Sequence, residues 1–281
     1  NKNPITGDIT MSQKASMKVM IENDILCLPI VDNSKVIDLH FMNEGLAKKT
    51  FDNPVFLMAG GFGKRLRPLT NKTPKPLLKV GEKPILEITL ERLVDSGFKN
   101  FYVSTHYKPE QVREYFGNGE KWGINLSYIH EVNPLGTAGG LGLLKKEAIN
   151  SPVLLMNGDL LTTLDFTDLI QFHNETDSDL TICVNEYKYT IPYGVIELDD
   201  GKVKNLIEKP TYKYFVNAGI YLISPQIIND IEKEKRIDMT DIIKKHINKS
   251  SNINTFPIHE YWIDIGRASD FEKANEDLKN L

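Results

Sequence analysis

The sequence predicts an α/β fold: a doubly wound, mostly parallel sheet with a small α+β piece in front of it. Three observations predict it. From Val55 onward, short apolar runs of strand length alternate with helical patterns. Their spacing suits right-handed crossover connections that cover both faces of a parallel sheet. Helix-start signals stand between the runs, where the alternation needs them.

In chain order, the expected strands are Val55–Ala59, Phe101–Ser104, Leu126–Ile129, Val153–Asn157 and Leu180–Val184. The expected helices are Ile85–Ser96, Pro109–Phe116, Gly139–Lys146 and Phe166–Asn174. Pro84 and Pro109 sit where a first helical turn tolerates proline, and Asp165 reads as an N-cap. Beyond Tyr193 the strands shorten: Gly194–Leu198, Lys202–Ile207 and Phe215–Ile223, with two or three helices after them. Ligands should bind at the carboxyl ends of the parallel strands.

Residues 1–50 read differently. A helix is expected over Met17–Asn23 and strands over Leu26–Val31 and Val36–Leu39, with a turn at Asp32-Asn33-Ser34. This unit is too short to bury a sizeable core alone. A polar linker, Lys48 to Asn53, closes at Pro54. The expected organisation is residues 1–50, then 54–281 in two halves, 54–165 and 166–281. The chain opens on Asn1 rather than Met, so a longer gene product is expected.

Composition narrows the function classes. Hydrophobic content is 41%, charged content 26% and net charge −4, ordinary values for a globular protein. No broad basic surface points to nucleic acid, and no apolar run has membrane-spanning length. A cytoplasmic location is the expectation. The two cysteines, Cys27 and Cys183, have no metal-ligand spacing and are expected to be reduced and buried.

Chemistry concentrates in a few stretches. Leu57-Met58-Ala59-Gly60-Gly61-Phe62-Gly63-Lys64-Arg65-Leu66-Arg67-Pro68 runs from a strand through three glycines into a basic cluster. Glycines allow backbone N–H groups to approach phosphate oxygens, and arginine offers a bidentate fork. A Walker A loop is excluded because Arg65 stands where Ser or Thr is needed. A dinucleotide fingerprint is excluded because Leu66 takes the place of the third glycine and Pro68 disfavours a helix. Lys75, between Pro74 and Pro76, should project from a stiff extended segment. Glu131 to Gly140 includes Gly136-Thr137-Ala138, small residues on which a flat base can lie, at a helix N-terminus that favours anions.

Asn157-Gly158-Asp159 places a carboxylate at a strand's carboxyl end, where Mg²⁺ would find one or two carboxylates plus phosphate oxygens. Asp264, between Ile263 and Ile265 in an apolar strand, is costly unless paired or metal-bound. It is the candidate partner of Asp159. Gly194, Glu208-Lys209-Pro210 and Asn217-Ala218-Gly219 are polar positions of the second half.

In this order, these motifs resemble the sugar-1-phosphate nucleotidylyltransferase family, roughly from Val55 to Lys279. The resemblance implies a Rossmann-like fold, a nucleoside triphosphate and a sugar 1-phosphate as substrates, and Mg²⁺. It implies catalytic roles for Arg65, Lys75 and Asp159, with Asp159 and Asp264 as metal ligands. Ala59, Gly60, Gly61, Gly63, Arg65, His106, Gly136, Thr137, Ala138 and Asn157 would hold the nucleotide. Asn157, Gly194, Glu208, Lys209 and Asn217 would hold the sugar phosphate. No protein nucleophile is asked for, because positioning and charge neutralisation supply the rate. Family members are often oligomeric, so a homo-oligomer is expected.

Thr105-His106-Tyr107-Lys108-Pro109 and Pro134-Leu135-Gly136-Thr137-Ala138-Gly139 look most like guanylyltransferases of the mannose-1-phosphate type, and a front end like residues 1–50 joined to such an enzyme resembles the glucosamine-1-phosphate type. That implies GTP and a GDP-hexose. Uridylyl- and thymidylyltransferases are the alternatives. Residues 1–50 resemble the latter part of a tandem CBS region, in Ile5-Thr6-Gly7-Asp8-Ile9-Thr10 and Leu26-Cys27-Leu28-Pro29-Ile30-Val31-Asp32. The other reading of this segment is a plain packing extension. A function of another class, a CBS-type nucleotide sensor with an inactive transferase domain, is opposed by the intact Arg65, Lys75, Asp159 and Asp264.

Overall fold

In a computed structural model, the chain divides into two compact units, Asn1–Thr50 and Phe51–Leu281. The structure describes residues 4–32, 35–42 and 50–279. The turn expected at Asn33-Ser34 and the start of the linker at Lys48-Lys49 lie outside the described residues.

The first unit is a three-stranded sheet with one helix. β1 (Gly7–Asp8) runs parallel to β2 (Cys27–Asp32), and β2 pairs antiparallel with β3 (Lys35–Phe41). Helix α1 (Gln13–Glu22) starts four residues earlier than the hydrophobic pattern suggested, because Ser12 caps it through the Ala15 N–H. Met20, Leu28 and Ile30 form its small core. Cys27 is only half-buried, which corrects the expectation of burial; it is free, as is the buried Cys183.

The second unit begins with β4 (Val55–Met58), then the hairpin β5 (Lys79–Val80) and β6 (Lys83–Pro84). Then come α2 (Ile85–Ser96), β7 (Asn100–Thr105), α3 (Pro109–Phe116), β8 (Asn125–His130), α4 (Gly136–Gly139), β9 (Val153–Asn157), β10 (Leu160–Thr162) and α5 (Phe166–Glu175). The chain continues through β11 (Leu180–Thr190), β12 (Gly194–Asp199), β13 (Lys202–Glu208), β14 (Thr211–Ile223), α6 (Pro225–Asn229) and α7 (Met239–Asn248). It ends with β15 (Ile253–Ile258), β16 (Trp262–Asp264) and α8 (Ala268–Asp277).

Seven of these strands make the central sheet, in the order β15-β11-β14-β9-β4-β7-β8. Only β14 runs against the rest. The apolar runs of β4 and β9 are buried, as a sheet covered on both faces requires. Their cores lie on its two faces, Leu57, Leu90, Val103 and Met156 in one and Phe56, Leu155, Ile182 and Ile242 in the other.

From β4 the chain winds outward to β7 and β8, then returns to β9 on the other side. The order therefore reverses at the β4–β9 pair, where Met58 lies opposite Asn157. Such a switch point opens a crevice at the carboxyl ends of the strands.

One expected element fails. Gly139–Lys146 is not a helix; α4 is a single turn, followed by 3₁₀ turns over Gly140–Leu143 and Lys146–Ala148. Four glycines between Gly136 and Gly142 weaken helix formation and let this segment lie against the backbone of 232–237. β11 and β14 run well beyond their apolar halves, whereas β12 and β13 form a separate two-stranded sheet. The short β10 and β16 pair with each other off the main sheet, and β15 carries Pro257 at its edge, where proline is tolerated.

His173 of α5 is buried, its Nδ1 2.8 Å from the Thr181 hydroxyl. Burial holds its pKa below the ordinary 6.5. The folded protein thus keeps the ring neutral while the unfolded chain takes up a proton below about pH 6.5. Stability from this group is complete above that value and falls as pH drops through it. The thermal midpoint should fall between pH 7.5 and 5.5, by roughly 2–4 °C per kcal/mol. A flat midpoint over that window would contradict the assignment.

Candidate active site

At the switch point, one cavity of about 340 Å³ gathers residues from five separate stretches, one of them Ser104 of β7. It is lined by Gly60, Gly61, Phe62 and Arg65, by Glu131, Pro134, Gly136 and Thr137, by Asn157 and Asp159, and by Asp264. A smaller one of about 50 Å³ adjoins it, bringing in Ala59, Lys75 and Gly158 and sharing Gly61 and Asp159. Larger hollows lie at the amino ends of β7 and β8 and beside α8, but neither contains the glycine loop or the paired carboxylates.

The loop after β4 is shaped by local geometry. Gly63 has φ +60°, and a Cβ there would lie 2.7 Å from Thr70 Cγ2, so only glycine makes this turn. The turn brings Arg65 into the cavity wall, its guanidinium close over Gly266. Gly63 itself does not line the cavity. Gly61 has open space on its Cβ side, and Gly60 lies against His106.

Lys75 departs from expectation. It opens a 3₁₀ turn, Lys75–Leu77, rather than an extended segment, and it is buried and ion-paired with Asp159. The prolines define the entry to the turn, but the Leu77 and Leu78 N–H bonds to Pro74 and Lys75 carbonyls close it.

The α4 segment also departs from expectation. Its N–H groups are already engaged: Thr137 donates to Asp238 Oδ1 at 2.8 Å, and Ala138 and Gly139 donate to the Ile237 carbonyl. Its N-terminus is therefore closed to an anion. Ala138 is buried away from the cavity. Gly136 and Thr137 remain in the wall, where an apolar, planar group fits better than a phosphate. Glu131, not singled out from sequence, is buried in the same wall and accepts the Leu135 N–H at 2.9 Å. Its place within the quoted 131–140 stretch was the available signal. His106 stands behind the wall, Nδ1 2.7 Å from the Glu131 carbonyl, with its ring edge-on to Phe62.

The two aspartates meet because β10 and β16 pair, with Leu160 opposite Asp264. The Ile265 N–H also donates to the Asp159 carbonyl at 3.0 Å. Burial, then the Asp159 charge, pushes the Asp264 carboxyl pKa up, against the pull of Lys75 and Arg65. Asp264 Oδ1 is buried without a hydrogen-bond partner among the described residues. A buried, unpartnered carboxylate oxygen beside a second carboxylate has the donor chemistry of a hard divalent cation site.

The second-half residues divide. Asn217-Ala218-Gly219 packs onto the β9 end: Gly219 has φ +72°, and a Cβ there would lie 2.5 Å from Asn157 Nδ2. The Ala218 carbonyl accepts the Trp262 Nε1 proton at 2.9 Å, and Asn217 Oδ1 accepts the Gly219 N–H. Gly194 and Glu208 are cross-strand partners in the β12–β13 hairpin, and Lys209 follows at φ +47°. None of Gly194, Glu208, Lys209 or Asn217 lines the cavity.

Residues 55–280 match the family model described as nucleotidyl transferase. The chain belongs to the nucleotidyl transferase family. Mannose-1-phosphate guanylyltransferase catalytic subunit beta of Drosophila pseudoobscura pseudoobscura is 37% identical over 224 residues, covering 76% of this chain and 59% of that protein. The chain thus spans about three-fifths of the length of such curated relatives. HddC from Yersinia pseudotuberculosis, solved in complex with GMP-PN, superposes with a TM-score of 0.64 at 28% identity, over 80% of this chain and 99% of that one. A putative glucose-1-phosphate thymidylyltransferase from Bacillus anthracis shares the fold, with a TM-score of 0.66 at 20% identity over 81% of this chain and 96% of that one. For this nucleotidyl transferase, the mostly parallel sheet is shared with these solved structures.

Proposed function

We propose that the protein is a Mg²⁺-dependent sugar-1-phosphate guanylyltransferase, converting GTP and a hexose 1-phosphate to a GDP-hexose and pyrophosphate. The observation that carries this reading is the single cavity in which the glycine loop, Arg65, Asn157, Asp159 and Asp264 converge. The guanine preference is supported by the mannose-1-phosphate guanylyltransferases among its relatives and by the nucleotide-bound HddC structure.

In this reading a sugar-phosphate oxygen forms a new bond to the α-phosphorus. The bond from that phosphorus to the α–β bridging oxygen breaks, and pyrophosphate leaves. Arg65 and Lys75 neutralise phosphate charge, and the Gly60-Gly61 backbone holds the nucleotide close. Gly136 and Thr137 flank the base. Asn157, packed against Gly219, orients the reacting phosphate, and Glu208, Lys209 and Asn217 are the second-half candidates for the sugar phosphate where it extends outside this cavity. Asp159 and Asp264 would hold the cation, which supplies charge neutralisation at the phosphates.

Residues 1–50 are read as the latter part of a CBS region, supported by the strand–helix–strand–strand order of that unit. A cytoplasmic location belongs to the same reading, because the nucleotide substrates are held there.

The test is pyrophosphate release with GTP, UTP or dTTP against mannose, glucosamine and glucose 1-phosphates, with and without Mg²⁺. Turnover should be highest with GTP and should vanish with chelator. No turnover with any pair would sink the reading, and a preference for UTP or dTTP would reassign the base.

A further inference from the structure

After β4 the chain stays off the central sheet from Gly60 until the β5–β6 hairpin. This stretch carries Gly60-Gly61, Arg65 and Lys75. Among the described residues, the backbone hydrogen bonds of 60–77 are local. The Leu66, Arg67, Asn71 and Leu77 N–H groups each bond the carbonyl three residues back. No strand ladder ties the loop to the sheet, so side chains must hold it. The Lys75–Asp159 pair holds its far end.

A single short segment, 106–111, holds the rest. At the start of the loop, the Phe62 ring lies edge-on to His106, centroids 5.2 Å apart, and 5.7 Å from the Tyr107 ring. At its return, side chains of the same segment take three consecutive carbonyls. The Tyr107 hydroxyl lies 3.3 Å from both the Thr70 and the Asn71 carbonyl oxygens. Lys108 Nζ donates to the Asn71 carbonyl at 2.9 Å and to the Lys72 carbonyl at 2.6 Å. Gln111 Nε2 donates to the Lys72 carbonyl at 3.3 Å. These carbonyls end the 3₁₀ turn Leu69–Asn71, where a turn runs out of backbone donors and a lysine can supply them. Thr70 passes the constraint inward. It is buried, its Oγ1 donates to the Gly63 carbonyl at 2.9 Å, and its Cγ2 fills the space over Gly63. Gly63 in turn sets the bend into Arg65.

Lys108 holds its place against a backbone preference. Its φ is +50°, in the left-handed region that disfavours a lysine. Such a conformation persists where the surroundings over-determine it, as at sites that must be pre-organised. Glycine would take the same backbone without strain, but would leave the Asn71 and Lys72 carbonyls without the ammonium.

We propose that Lys108, supported by Tyr107 and Gln111, is a positioning residue for the triphosphate: it latches the return of the glycine loop and so holds Arg65 where phosphate charge is met. Lys108 lines neither cavity, so it acts through the loop. The kinetic consequence rests on the guanylyltransferase reading. Without the latch the loop is competent only part of the time. Apparent GTP affinity falls by that fraction, and saturating GTP restores the rate.

Lys108→Gly and Lys108→Met test this in the full chain, by steady-state pyrophosphate release and hydrogen exchange. Both remove the ammonium, and only the glycine relieves the left-handed strain. The expected result is a GTP KM raised at least about 10-fold in both, the scale of one charge-assisted hydrogen bond, with kcat and the sugar-phosphate KM nearly unchanged. The amides of 66, 67 and 71 should exchange faster in both variants, with the central strands unaltered. A structural role alone would lower the thermal midpoint and leave the GTP KM where it was, and that result would overturn the proposal. So would a KM that rises in Lys108→Met only, because strain would then be the cause. If the unmodified chain releases no pyrophosphate with any nucleotide, the guanylyltransferase reading falls. Exchange of the three amides then decides the latch by itself, and unaltered exchange overturns it.

Discussion

Asp159→Asn is expected to lower kcat at least about 100-fold at saturating Mg²⁺, the scale on which loss of a metal-anchoring carboxylate acts. A stability loss should accompany it. Lys75 is 11% exposed at its side chain and pairs with Asp159, so removing the carboxylate leaves a nearly buried ammonium alone. Breaking a fully buried pair costs about 3–5 kcal/mol. The cost here should be smaller, because Asp159 retains 24% side-chain exposure and water can reach the charge.

The double variant Asp159→Asn/Lys75→Met separates the two effects. It should recover much of the thermal midpoint, because neither charge is left unpaired, and recover none of the activity. The measurements are steady-state pyrophosphate release and a thermal melt of each variant. Near-normal kcat in Asp159→Asn would remove Asp159 from the chemistry.

Asp264→Asn should divide stability from activity in the opposite sense. The Asp264 carboxylate is disfavoured by burial and by Asp159, and its Oδ1 has no partner among the described residues. Replacing the charge with an amide removes the repulsion, so the metal-free midpoint should rise by roughly 2–4 °C, the shift that about 1 kcal/mol produces in a chain of this size. The same change removes one of two carboxylates available to a cation. The midpoint increase that Mg²⁺ gives the unmodified protein by mass action should largely vanish, and kcat should fall about 100-fold or more. An undiminished Mg²⁺-induced shift would show that Asp264 holds no metal. These opposite stability signs distinguish the carboxylates, since Asp159 has a lysine partner and Asp264 an orphan oxygen.

Local pattern carried much of the fold. Ile85–Ser96, Pro109–Phe116 and Val153–Asn157 appear with the bounds expected from periodicity, proline and capping. Asp165 caps α5 through the Thr167 N–H, as its position implied. Where the reading failed, a tertiary contact outweighed a local preference. The 139–146 segment looks helical by composition of its ends, but its glycines serve close packing on 232–237. Lys75 looks exposed between prolines, but Asp159 draws it inward. Gly136-Thr137-Ala138 looks like an open helix N-terminus, but the Asp238 side chain and the Ile237 carbonyl occupy its N–H groups.

By itself, the sequence determined the alternation of strand and helix, the glycine loop with its basic residues, and the identities of the two aspartates. These are properties of neighbours along the chain, where steric and hydrogen-bonding rules act over a few residues. Only the tertiary structure decided that Asp264 meets Asp159 through the pairing of β10 with β16, that Gly219 admits Asn157, and that Lys75 is paired rather than free. It also decided that Tyr107, Lys108 and Gln111 meet the carbonyls of residues 70–72. Such meetings depend on strand order and register. These are set by burial summed over the whole sheet and leave no mark in any short stretch of sequence.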